Sequence, residues 1–142
     1  MKTAATPSAA ELRTDRARID EIDLRGVNAK LTADPSREGY GWSGERVAWV
    51  ERQYRNWLFL GLKYGEELLV PTKELDVYWH THILDTRAYA LDMDRVFGRF
   101  IHHNPYLGQS GAESIRQLIN AFDQTAELYE REYGEPYAES GL

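Results

Sequence analysis

Apolar residues recur at helical spacing over four stretches of the chain, and the positions between them carry helix start and stop signals. The first stretch, from about 12 to 31, puts Leu12, Ile19, Ile22, Val27 and Leu31 at spacings compatible with one face, with Gly26 as its weak point. Residues 32 to 40, holding Asp34-Pro35-Ser36 and Gly39, read as a loop. A second helix starts at Ser43, whose hydroxyl is suited to the N-cap, and Trp42 and Val47 match a hydrophobic staple around it. Val47, Val50, Tyr54, Trp57, Leu58 and Gly61 continue its stripe until Gly65 ends it. After the apolar link Leu68-Leu69-Val70-Pro71, Thr72 caps a third helix predicted over 73 to about 97. The fourth opens on the capping box Ser110-Gly111-Ala112-Glu113, carries Ile115, Leu118, Ile119, Phe122, Ala126, Tyr129 and Tyr133, and stops at Gly134. No strand pattern or internal repeat competes with these signals. The predicted fold is all-α, a compact bundle of about four main helices spanning 11–142 behind a disordered stretch 1–10.

Composition narrows the partners. A chain of 142 residues makes one domain with one core. With 17 basic against 23 acidic residues and a net charge of −6, it lacks the footprint of a phosphate-backbone binder, so no nucleic-acid partner is expected. The absence of cysteine leaves only nitrogen and oxygen ligands for any metal. Neither an apolar leader nor a run long enough for a membrane span occurs, so the expectation is a cytoplasmic protein without a membrane partner.

All four histidines fall in two pairs, His80 with His82 and His102 with His103, and that clustering is the strongest hint of chemistry. On a helix wheel His82 lies in the apolar stripe of Leu75, Trp79, Tyr89, Met93 and Phe97, while His80 lies about 160° away with Asp76 one turn earlier. A regular helix therefore keeps the two from chelating one ion. A straight helix through Phe100 would also hold His82 roughly 30 Å from His102, so the second pair returns only if the chain turns near Gly98 or kinks near Leu91 to Asp94. Plainer roles compete with each residue. His82 suits a buried neutral ring bonded to a carbonyl, Tyr89 or Asp85; His80 suits an ion pair with Asp76; His102 and His103 suit the negative end of a long helix.

Val70-Pro71-Thr72 followed by Leu75-Asp76-Val77-Tyr78-Trp79-His80-Thr81-His82-Ile83-Leu84-Asp85-Thr86-Arg87-Ala88-Tyr89 resembles the hallmark segment of the glycine-rich domain-containing protein-like family. Val96-Phe97-Gly98 and the closing Leu128 to Tyr137 extend the resemblance over roughly residues 40 to 137. Asp76, Trp79, His80, His82 and Tyr89 fall on its motif, and His102-His103 resembles the bacterial style of member. The 11 glycines are dispersed, so the resemblance implies an isolated N-terminal-type domain without the glycine-rich region, and it brings no settled catalytic activity with it.

Two function classes follow. The first is a metal-binding helical protein, or in its finer form a small metal-dependent enzyme for oxidative tailoring or hydrolysis, holding divalent Zn, Fe or Cu through His80, His82, Asp76, His102 and His103. Asp85 is its candidate base and Tyr89 stands with it as a catalytic candidate in the pocket wall; the partner would be a small-molecule or peptide substrate. The crowd of Glu74, Asp76, Asp85, Asp92 and Asp94 around the histidines favours a cation. The second class is a non-enzymatic interaction module with structural histidines, docking another protein or forming a homo-oligomer. A metal-free acid–base enzyme using the same His and Asp residues is the minor third reading.

Overall fold

The computed structural model describes residues 6–66 and 69–142, so the expectations for positions 1 to 5 and for Leu68 lie outside the described residues. Six α-helices run through them: α1 (Ala9–Asp20), α2 (Arg25–Thr32), α3 (Gly44–Tyr64), α4 (Lys73–Leu84), α5 (Thr86–Phe97) and α6 (Ala112–Tyr133), with a short 3-10 turn at Pro35–Arg37. No strand occurs among the described residues. The all-α expectation holds, with six helices in place of about four. Central α3 packs against α1, α2, α4 and α6, while α4 also meets α2 and α5. Tyr54, Trp57 and Leu60 of α3 share one core with Ile19, Leu31, Leu75, Tyr78, Tyr89, Met93 and Tyr129.

Local signals set most helix ends. Ser43 Oγ accepts from the Arg46 amide at 3.1 Å and Thr72 Oγ1 from the Leu75 amide at 3.1 Å, as their N-cap positions require. Gly98 and Gly134 end α5 and α6 at φ of 73° and 65°, a left-handed geometry in which a Cβ is strained. Ser8 caps α1 in the same way as Ser43 caps α3, through the Glu11 amide, so helix begins at Ala9.

Three expectations are corrected. The predicted helix over 12–31 is two helices, because the break at 21–24 lets Ile22 and Leu24 both enter the core. Arg55 of α3 reaches across to the Ile19 and Ile22 carbonyls at 2.6 and 3.0 Å, adding a donor to Ile19, which also accepts from the Ile22 amide, and one to Ile22 in the break just past α1. The helix over 73–97 is likewise two, broken at Asp85 with φ −82° and ψ 70°. Last, Ser110 does not cap α6: Gly111 stands at the N-cap with φ 101° and no side-chain cap bond forms, while Glu113 turns forward to Arg116 at 2.8 Å instead of back.

Candidate functional site

The break at Asp85 determines where the histidine chemistry goes. In one continuous helix His82 and Asp92 would stand about 15 Å apart along the axis. Folding α5 back brings His82 Nε2 to 2.9 Å from Asp92 Oδ2, and the Tyr54 hydroxyl of α3 meets the opposite nitrogen, Nδ1, at 2.7 Å. The Tyr54 and Tyr89 rings pack edge-on against the imidazole, at centroid distances of 5.7 and 4.9 Å. Burial lowers the His82 pKa, against an opposing pull from the Asp92 hydrogen bond, so the ring is neutral in the fold. Burial also holds the Tyr54 phenol well above its ordinary value. The protons are therefore assigned: Tyr54 O–H donates to Nδ1 and Nε2–H donates to the Asp92 carboxylate. His82 is a buried polar node tying α3, α4 and α5 together, with both nitrogens in use.

Past Gly98 the chain turns back along α4. Phe100 packs edge-on against Tyr89 at 5.3 Å, and the Tyr89 hydroxyl donates to the Ile101 carbonyl at 2.6 Å while accepting from Trp79 Nε1–H at 3.0 Å. Burial pushes the Tyr89 phenol up to about 12, which keeps its proton in place as donor. Anchored at Ile101, the returning segment lays His103 on the Trp79 ring at 4.4 Å and brings its Nε2 to 2.6 Å from Asp76 Oδ1.

This dyad stands in the wall of a cleft of about 1200 Å³ bounded by the 69–73 link, α4, the 97–107 segment and the first half of α6. Trp57, Trp79, Phe97, Phe100, Phe122 and Tyr137 give it an aromatic lining, completed by aliphatic residues that include Leu107 and Ile119. The last two are 49% and 53% exposed, although each sits on the cleft side. Across α4, Glu74 is buried and accepts from Arg46 Nε at 2.7 Å and from Ser140 N–H and Oγ–H at 2.8 and 2.6 Å, which straps the C-terminal tail down.

The five metal-ligand candidates are thus divided. His103 and Asp76 meet, His82 lies in its own buried node, and His80 and His102 are exposed, His102 resting on Phe100 at 4.7 Å. The His80–Asp76 pair is not formed, since Asp76 bonds His103. Among the described residues no three His, Asp or Glu side chains come together as a group that could hold a metal ion. Asp85 is exposed at the helix break, and Tyr89 is a buried brace. Tyr54 and Asp92 escaped sequence reasoning as partners of His82. Tyr54 looked like any stripe residue of α3, and Asp92, ten positions on, comes within reach only once the helix breaks.

Comparison with known proteins places the chain among relatives. It is 29% identical over 152 residues to glycine-rich domain-containing protein 1 of Arabidopsis thaliana, covering 87% of this chain and 18% of that protein. It is 29% identical over 72 residues to glycine-rich domain-containing protein 2 of the same plant, covering 51% of this chain and 9% of that one. The chain therefore spans less than a fifth of the length of these curated relatives. No solved structure matches it. The sequence pattern of the family described as UCP032817-like matches residues 24–126, well over half of the chain and the whole stretch from α2 to the middle of α6, and the chain belongs to that family.

Proposed function

We propose that this domain is a ligand-binding module whose cleft takes a small molecule with an apolar body, the His103–Asp76 dyad marking its polar edge. The observation that carries this reading is the cleft of about 1200 Å³ with aromatic walls and one bonded imidazole–carboxylate pair. Its concave shape and mainly apolar lining suit a small-molecule site. A metal-dependent enzyme has less support, because a catalytic ion needs about three protein ligands and, of the five candidate ligands, only His103 and Asp76 are neighbours.

Titration with the neutral fluorescent probe N-phenyl-1-naphthylamine tests the proposal. Saturable one-to-one binding is expected, weakened about tenfold or more in a Leu107→Gln/Ile119→Gln double variant, whose exposed sites leave the core intact. Absence of saturation, or equal affinity in the variant, would overturn it. A protein-docking role is the second reading, favoured by Ile115 and Ile119, which are exposed together on the first half of α6.

A further inference from the structure

One wall of the cleft is fastened to the rest of the molecule only at its two ends. At the first end Ile101 is buried and His103 is tied to Asp76 at 2.6 Å. At the second, the Thr125 hydroxyl accepts from the Val70 amide at 3.0 Å. Beyond it Tyr129 accepts from the Asn56 side chain at 3.1 Å and Tyr133 donates to the Asn56 carbonyl at 2.9 Å, which binds the second half of α6 to α3. From Asn104 to Ala121, by contrast, no residue is buried. Among the described residues the side-chain hydrogen bonds of this stretch stay within it: Asn104 accepts from the Tyr106 amide, Gln109 donates to the Pro105 carbonyl, and Arg116 donates to Glu113.

The same stretch is apolar on its inner side. Leu107, Leu118 and Ile119 all line the cleft, and Leu107 and Ile119 are about half exposed to water there. Its turn and its helix form one piece, because a Cβ on Gly108 would come to 2.6 Å from Leu118 Cδ2, so the turn lies directly on the helix. A pivot stands where this piece joins the fixed half of α6: the Thr125 hydroxyl donates to the Ala121 carbonyl at 2.9 Å, a side-chain bond of the kind that lets a helix bend. The facing wall has no such freedom, since Trp57, Trp79 and Tyr137 are buried in the core. At about 1200 Å³ the cleft also exceeds the roughly 300 to 1,000 Å³ of ordinary small-molecule sites, so a wall must move in to enclose a small occupant.

We infer that residues 104–121 form a flap that closes toward α4 over the apolar body of an occupant, pivoting at Ala121–Thr125. This rests on the small-molecule reading above. Closure takes Leu107, Leu118 and Ile119 out of water when an apolar surface is there to meet them, so the occupant binds the closed form better than the open one and shifts the flap toward it. The aromatic side of the cleft stays in place as the surface against which the flap closes.

Spin-label distances in the full chain test the flap. The chain has no cysteine, so Gln117→Cys on the flap can be paired with His80→Cys on α4 or with Asp94→Cys on α5, all three at exposed positions outside the cleft lining. On saturation with N-phenyl-1-naphthylamine at least one flap distance should shorten by several ångströms and its distribution should narrow, while the His80→Cys/Asp94→Cys distance stays as it was. In the unlabelled chain the amides of 112–121 should exchange more slowly with the probe bound, which keeps the test decisive if a label blocks binding. Bound probe with both flap distances unchanged, or with equal exchange in the unlabelled chain, would overturn the flap and leave the cleft reading standing. Absence of saturable binding to the unlabelled chain would sink both.

Discussion

Replacing Tyr54 by Phe removes one oxygen from the buried core and changes almost nothing else, which makes it a sharp probe of the His82 node. Tyr54 is fully buried, and its hydroxyl is the donor to His82 Nδ1 at 2.7 Å. Without it, Nδ1 becomes an acceptor with neither water nor protein to satisfy it, while the ring itself leaves no large void. The expected loss is about 1 to 3 kcal/mol, the penalty for an unsatisfied buried polar group. With a urea m-value of roughly 2 kcal/mol/M, the unfolding midpoint followed by circular dichroism at pH 7.5 should drop by about 0.5 to 1.5 M. The decisive arm repeats the change in a His82→Leu background. There the Tyr54 hydroxyl is itself the orphan, so Tyr54→Phe should be neutral or stabilising, and the cycle should show coupling of about 1 to 3 kcal/mol. A Tyr54→Phe loss below about 0.5 kcal/mol, or the same loss in both backgrounds, would refute the node.

Acidity should act through the same histidine. Its folded pKa is lowered, chiefly by burial, so the unfolded chain takes up the proton first as pH falls below about 6.5; stability is fully present above that value and is lost toward the lowered folded pKa, at up to about 1.4 kcal/mol per pH unit. Urea midpoints between pH 5 and 7.5 should show this slope in the wild type and a shallower one in His82→Leu, and identical slopes would rule out the linkage. At Glu74 burial pushes the carboxyl upward, but the Ser140 and Arg46 hydrogen bonds outweigh it and the net shift is down. Glu74→Ala should therefore cost about 2 to 4 kcal/mol and free the strapped tail, seen as faster carboxypeptidase trimming; unchanged trimming would mean that the strap does not hold the tail.

The helical nature of the chain, most of its caps and the opposite settings of His80 and His82 were legible in the sequence, because each depends on residues within a turn or two of one another. Ser43 and Thr72 bond their own helices' amides, and the 100° step that separates His80 from His82 on the wheel leaves one exposed and the other buried. Local geometry also set the condition for the second histidine pair, a turn at Gly98, and Gly98 does turn the chain. What the sequence could not settle was where continuous periodicity is interrupted. The residues on either side of 21–24 and of Asp85 are compatible with unbroken helices, and only competition among distant partners decides. Arg55 takes the carbonyls at the end of α1, and Tyr54 and Asp92 converge on His82 once α5 folds back. The cleft belongs to the same tertiary level, since Trp57, Asp76, His103 and Ile119 come from four separated segments. Sequence periodicity determined which face of the central helices α3 and α4 is buried, though not at the start of α6, where Ile115 and Ile119 stay exposed; burial and hydrogen-bond satisfaction across the whole chain decided where the helices break, and so which side chains meet.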